Sequence, residues 1–592
     1  MTKISVSFPS VGDIQQAIAS CQEKLDRAFA SEFNERSKSD ATHDWQLLFQ
    51  VFNFLFRPND LENPFHPMAI MNGKRSVIPI DLTDAQLDAL QSTLETIDDP
   101  EYRARVGDTL WLRKRDVKAA RIAVESYLES GKRLENPEHW VPCMERYQRA
   151  VRLARQIDKG ELPKTVLAHL ESRVKHYDGN DPSYFTLKAI ELLAEFQFGD
   201  FQSIAKIAGK IATRSRTDRN YQRARSYYDI QAKLLRLAKD TDRAEASRVS
   251  SAECNFEEAE AREASGSFIA ARKFWEDAIK AFRERPTLRA RIPELQKRLA
   301  IAGKKLLDEM EPIGHEIHIK EMVEQTEASF RGQLLDDALC HLALFNPPID
   351  PLKLRKDTEE GLKETPIHAL IDAEVFDEGG RKIARRPSIA STDEKDREAA
   401  IEGFMDQNAR FYRSITVSGC LAPAMQTILS EHEIAESDIE RIFKDSDFIP
   451  PHRLTFFVRA IVDGFRWDFS TSLHIFVPQV ENALRYLLEQ RGVVPRNFDN
   501  DGIEDVWHLD RILNHQMTKS VLGDPHVYEL QSLLTGRIGP NIRNSLAHGL
   551  LPPGALNGDS AFYLWWLLFR LTLFPTQILQ AYIERKKLGN AP

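Results

Sequence analysis

Cysteine is scarce and scattered: the 592-residue chain holds five, Cys21, Cys143, Cys254, Cys340 and Cys420, and no two stand in a CxxC spacing. That excludes a small disulfide scaffold, argues against a zinc site built from neighbouring ligands, and suits a reducing compartment. An excess of one charge is lacking too. Lys and Arg number 80 against 89 Asp and Glu, a net charge of −9, so no chain-wide cationic field draws the protein to nucleic acid. Any RNA or DNA contact has to come from a local site or from a groove made by two chains. The first residues, Met1-Thr2-Lys3-Ile4-Ser5-Val6, lack the apolar stretch of a signal peptide, and a cytoplasmic location is expected. Common enzymatic fingerprints are missing as well: there is no GxGxxG after a strand, no GxxxxGK(S/T) phosphate loop and no HExxH. His315-Glu316-Ile317-His318 lacks the i, i+4 spacing that would put both imidazoles on one helical face, so it reads as a solvated helix end or loop. Neither a metal nor a cofactor is expected.

Long apolar runs are almost absent. The exception is Ala561 to Ile583, AFYLWWLLFRLTLFPTQILQAYI, which is close to the length of a membrane span. Arg570, Pro575, Gln577 and Gln580 interrupt it and no long basic flank precedes it, so it reads as a buried core or dimer-interface helix, not as a membrane segment.

What is present is mostly helical periodicity. Residues 1–80 form a mixed segment, in which Asn72-Gly73 has the composition of a hairpin turn. Thr83 and Gln86 make a capping box that opens a helix. Between residues 81 and 310 a spacing recurs: Phe268, Ala271, Trp275, Ala278 and Ile279 have the offsets of Trp140, Cys143, Tyr147, Ala150 and Val151, and of Phe201, Ile204, Ala208, Ile211 and Ala212. Gly266 and Gly199 each stand two residues before their series. Such offsets place small and aromatic residues on one helical face, where neighbouring helices interlock. They resemble the second helix of a tetratricopeptide repeat; the first helices depart from that pattern, and generic amphipathic helices in a bundle remain the alternative. Residues 311–400 read as a connector with a β-hairpin, Ala369-Leu370-Ile371-Asp372-Ala373-Glu374-Val375-Phe376 running through Asp377 and a Gly379-Gly380 turn into Lys382-Ile383-Ala384. Arg385-Arg386 reads as a solvated turn that opens a polar linker. Residues 401–592 are helical again.

The segment with chemical content is Gly539-Pro540-Asn541-Ile542-Arg543-Asn544-Ser545-Leu546-Ala547-His548-Gly549. Pro540 and Asn541 suit a helix entry and Gly549 a helix exit. Asn544 and His548, four apart, share a face about one turn from each other; Arg543 points elsewhere on an ideal helix, so its side chain must curl back or reach a second subunit. Arg543 to Gly549, RNSLAHG, matches the RNxxxHG signature and resembles a branch of the HEPN superfamily. The resemblance extends over about the last 140 residues. His474 to Arg485 is similar to the earlier long helix of such domains, Trp507 to a packing aromatic, and the apolar helix after Ala561 to the one that follows the motif.

This resemblance implies a dimeric, metal-independent endoribonuclease in which Arg543, Asn544 and His548 from two chains line a cleft. Glu481, Arg485 and His474 are supporting candidates: Glu481 and Arg485 are spaced for an ion pair on their own helix, or Glu481 orients His548 or Arg543 from a facing helix, and His474 lies seven residues earlier on nearly the same face. His508, His515 and His526 read as surface or packing residues. The expected fold is mainly all-α: a helical array over 81–310, the connector over 311–400, and a HEPN-like helical bundle over 401–592 with its core at about 450–592. The expected function is RNA cleavage, and the resemblance further implies a toxin or antiphage-defence effector. The alternatives are a non-enzymatic scaffold, with the array holding a protein ligand and the last domain dimerising, and a nucleotide-binding module.

Overall fold

The computed structural model describes residues 7–40, 42–71, 74–158, 160–310, 317–364, 367–377 and 379–589. It is mainly α-helical, with small two-stranded hairpins. The chain divides into two compact units, residues 1–306 and 307–592.

In the first unit consecutive helices pack on one another from Pro100–Lys114 through Phe268–Arg283. The predicted capping box is formed: the Thr83 amide donates to Gln86 Oε1 at 2.9 Å and the Gln86 amide to Thr83 Oγ1 at 3.4 Å. The last four positions of each recurring series are buried, among them Cys143, Tyr147, Ala150 and Val151 in Val141–Ile157 and Ala271, Trp275, Ala278 and Ile279 in Phe268–Arg283, while the leading aromatics Trp140, Phe201 and Phe268 are half-buried. The N-terminal segment has no core of its own. Phe29, Phe33, Trp45 and Phe52 share one with Tyr102, Val106 and Leu110 from the start of the array. Asn72 and Gly73 lie outside the described residues; the strands flanking them, Ile70–Met71 and Lys74–Arg75, pair antiparallel.

Beneath that core lies a charge network that patterning did not foretell. Arg105 pairs with Asp26 at 2.7 Å, Arg146 with Asp26 at 3.1 Å and Glu101 at 2.7 Å, and Arg149 with Asp108 at 2.7 Å. All three arginines are buried, and the Arg105 guanidinium sits over the rings of Phe56 and Phe65. Three cations matched by three carboxylates and two aromatic faces make a balanced network, as buried charge requires.

The second unit is organised around Asp559–Leu573, in which residues 561 to 573 are all buried. Among the described residues no single helix is long and apolar enough to cross a membrane; Pro553–Leu573 and Gln577–Leu588 pass such a test only together, bent by 86°. Leu454–Phe465, Phe469–Glu489, Glu394–Thr416 and Leu335–Leu344 all pack on the buried helix. Gly464 makes one of these approaches close: a Cβ there would stand 1.9 Å from Trp565 Nε1.

The segment expected as a connector contributes to this core, through Phe330, Ala338, Leu339, Leu342 and Ala343. Trp566 Nε1 donates to the Leu342 carbonyl at 2.9 Å, and Arg570 Nη1 to those of Ala343 and Asn346 at 2.7 and 2.6 Å. Arg570 thus caps the carbonyl end of Leu335–Leu344, where a cation is favoured. The predicted hairpin pairs Ala373–Phe376 with Lys382–Arg386, and Glu378 of its turn lies outside the described residues, as do His315 and Glu316. Arg385-Arg386 is no solvated turn: both residues are in the second strand, Arg385 paired with Asp372 and Arg386 lying over the Phe404 ring at 3.7 Å. Alternation along the strand is the reason, since it sends one arginine out and the other onto Glu394–Thr416.

Three half-buried histidines tie stability to pH. Burial pushes the imidazoles of His169, His341 and His526 below the ordinary 6.5, and nearby Lys132, Lys586 and Arg570 respectively push the same way. A lowered folded-state pKa means that the unfolded chain takes up the proton first as pH falls. Stability is therefore full above the unfolded value and declines as pH falls through about 6.5. Melting temperature is expected to drop between pH 7.5 and 5.5, by less in His341→Phe, whose ring keeps the stack on Phe330 at 4.3 Å without titrating.

Candidate functional site

The motif helix is short, Ile542–Ala547, and its ends are set by two left-handed residues, Asn541 at φ 49° and Gly549 at φ 64°. After it the Gly549 amide donates to the Leu546 carbonyl at 3.0 Å and the Leu550 amide to the Ser545 carbonyl at 2.8 Å, which closes the last turn around glycine. The His548 amide reaches the Asn544 carbonyl at 3.1 Å, so His548 stands one turn beyond Asn544, as the spacing predicts.

The supporting helix, Phe469–Glu489, is capped by Asp468, which accepts from the Thr471 amide at 2.9 Å. Its buried Glu481 takes part in both of the pairings the sequence suggested. Oε1 is held by Arg485 Nη2, while Oε2 accepts from Arg543 Nε at 3.1 Å. Arg485 Nε in turn donates to the Trp507 carbonyl at 3.0 Å. On the other side, Arg543 Nη1 donates to Asn544 Oδ1 at 2.9 Å, and Asn544 Nδ2 to Asn541 Oδ1 at 2.8 Å. A continuous hydrogen-bonded chain therefore runs from Trp507 through Arg485, Glu481, Arg543 and Asn544 to the entry of the motif helix. Two guanidiniums share one carboxylate, which leaves a local net positive charge. Arg543 remains 30 % exposed, and its Nη2 has no protein partner among the described residues.

His548 is exposed, and its ring makes no hydrogen bond among the described residues. His474 does not join the cluster. It is exposed, and its Nδ1 bonds the Ser470 carbonyl of its own helix at 2.7 Å. Seven residues bring it back to the same face but about 10 Å along the axis, beyond the reach of an imidazole. His508 is exposed, His515 caps Gln516–Leu522, and Trp507 is buried as a packing aromatic should be.

A second support was not legible in the sequence. Arg410 Nη2, from Glu394–Thr416, donates to the Ile538 carbonyl at 2.9 Å, and Asp406 Oδ1 accepts from Ser532 Oγ at 2.9 Å. Asp406 also pairs with Arg410, so the two clamp the loop that leads into the motif. Gly539 is required there, because a Cβ would stand 2.2 Å from the Ser532 carbonyl oxygen. The only sequence trace is an acid and a base four apart on a helix, as on any solvated face.

Glu481→Gln tests the chain directly. An amide offsets none of the charge of the two guanidiniums, and the substitution is expected to cost about 1.5–3 kcal/mol of stability, the range for hydrogen bonds to charged groups. A urea midpoint that does not move would mean that Glu481 does not hold Arg543 in solution.

Among the described residues no group of three or more His, Cys, Asp or Glu side chains is placed to hold a metal ion. Residues 8–165 match a family described as a domain of unknown function, DUF7380. That match takes in the buried arginine network and none of the candidate site residues, which lie between 474 and 548. No curated protein matches this chain.

Proposed function

We propose that the second unit is a metal-independent, cytoplasmic endoribonuclease of HEPN type, acting as a dimer in which two motif helices line one RNA cleft. The observation that carries this is the division of labour within RNSLAHG: Arg543 and Asn544 are fixed by the chain through Glu481, whereas His548, one turn on, is exposed and committed to nothing. In the proposed reaction His548 of one copy takes the proton of a ribose 2′-hydroxyl, whose oxygen attacks the adjacent phosphorus. His548 of the second copy, protonated, gives its proton to the departing 5′-oxygen, leaving a 2′,3′-cyclic phosphate. Imidazole is the side chain suited to both tasks near neutrality. Arg543 stabilises the charge that builds on the phosphorane, with Nη2 available for a phosphate oxygen.

The scaffold alternative has its own support: the same hydrogen bonds give Arg543, Asn544 and Gly549 structural duties. It leaves the exposed His548 without a role. The deciding experiment is digestion of total RNA and tRNA by the full chain in excess EDTA, with end-group analysis for cyclic phosphate, beside His548→Ala.

A further inference from the structure

A cavity of about 540 Å³ opens in the second unit beside the end of the Phe469–Glu489 helix, and none of Glu481, Arg485 or the motif residues lines it. Its volume is that of a small-molecule site. The wall combines the rings of Phe448, Tyr486, Phe574 and His526 with aliphatic side chains, Leu487 and Leu571 among them. His526 contributes surface, not acid–base chemistry: its Nδ1 bonds the Leu522 carbonyl at 2.8 Å and its Nε2 faces Arg570 Nε at 3.4 Å, an arrangement that requires the neutral ring. The rim is different. Arg491, Asp447 and Gln490 are exposed there, and none of their side chains has a hydrogen bond or ion pair to the protein among the described residues. Neighbouring arginines are all engaged, Arg485 with Glu481, Arg496 with Glu489 and Glu504, and Arg511 with Asn497. An arginine left unpaired at the mouth of an apolar pocket with ring-bearing walls keeps its whole donor fork for a ligand.

We propose that this cavity binds a planar aromatic molecule of about mononucleotide size that carries one anionic group. The ring packs against Phe448, Tyr486 and Phe574, and the anion takes the Arg491 fork. Asp447 accepts from hydroxyl or N–H groups of the ligand, and its charge on the same rim disfavours a polyanion. This site stands independently of the nuclease reading.

The test is calorimetric titration of the full chain with three probes: AMP, adenosine and inorganic phosphate. AMP is expected to bind about tenfold more tightly than adenosine, one charge-assisted contact's worth, and phosphate alone not at all. Arg491→Ala should bring AMP down to the level of adenosine. Gln490→Trp, which fills the mouth from an exposed position, should remove both, and Gln490→Glu should weaken AMP more than adenosine without adding bulk. Arg543→Ala should change neither. The proposal is overturned if wild type does not bind AMP, or if AMP binds no better than adenosine or phosphate. Affinity for AMP that survives Arg491→Ala or the Gln490 variants, or that is lost in Arg543→Ala, also overturns it.

Discussion

His548→Ala is expected to lower RNA cleavage by about 10²–10⁴-fold, the usual worth of a positioned general acid or base, while leaving the fold untouched. The second half of that expectation rests on geometry. His548 is exposed, and only its backbone amide takes part in the helix end, which alanine preserves. The unfolding free energy of this variant should therefore match wild type to within about 0.5 kcal/mol, the range usual for surface changes. Arg543→Ala is a less clean control, because it removes one of the two partners of a buried carboxylate and so perturbs stability as well. Arg543→Lys keeps the charge and loses the fork, and it should lose activity with a smaller effect on folding. Mixing wild type with His548→Ala chains tests the shared cleft: mixed dimers hold one of the two imidazoles, so activity should fall more steeply than the wild-type fraction. If His548→Ala cuts as well as wild type, the HEPN mechanism fails, and if well-folded wild type cuts no RNA, the scaffold is favoured.

Much of the candidate site was legible because its signals are local. Asn541 and Gly549 bound the motif helix for backbone reasons, and both adopt the left-handed conformation that their residue types tolerate. Glu481 and Arg485 pair because four residues bring them together on any helix. The pairing of Glu481 with Arg543, 62 residues away, was one of two readings for that glutamate, and the carboxylate has an oxygen for each. His474 failed because periodicity fixes direction and says nothing of reach. Arg410 and Asp406 were invisible, since their targets are a backbone carbonyl and a serine more than a hundred residues on.

The same division holds for the fold. The repeated spacing around Tyr147 and Trp275 located the buried faces of the array, since helical geometry alone decides which residues share a face. By contrast, Leu335–Leu344 was folded into an expected connector. It is short, and its place in the core depends on Trp566 and Arg570 meeting the carbonyls of Leu342 and Ala343. Backbone acceptors have no sequence signature. The buried arginines of the first unit were hidden for a related reason: Asp26 and Arg105 are far apart in the chain, and each alone looks like a surface charge.

Glu529→Gln should be the most destabilising conservative change in the second unit, by about 3–5 kcal/mol, the cost of stripping a buried ion of its partner. Glu529 is fully buried on Asp524–Leu534 and joins three other segments. Arg413 Nε donates to its Oε2 at 2.8 Å, Tyr563 Oη to its Oε1 at 2.7 Å, and the Ile349 amide to the same oxygen at 3.2 Å. Burial, reinforced by the Glu529 charge, pushes the Tyr563 phenol well above its ordinary 10, so the tyrosine stays a donor. Glutamine keeps the shape and puts an amide where two acceptors are needed. Arg413 is then left charged, buried and without a counter-ion, with its Nη1 already unpartnered. Removing both charges together, as Glu529→Leu with Arg413→Met, should recover most of the loss, because the penalty lies in the unpaired ion and not in the absent pair. Denaturation of the two single variants and the double variant measures that coupling. Hydrogen exchange should locate the weakening in the helices that bear Arg413 and Tyr563, with the residue 1–306 unit unaffected. A double variant no more stable than the singles would show that the pair supplies net binding energy instead of relieving a burial cost.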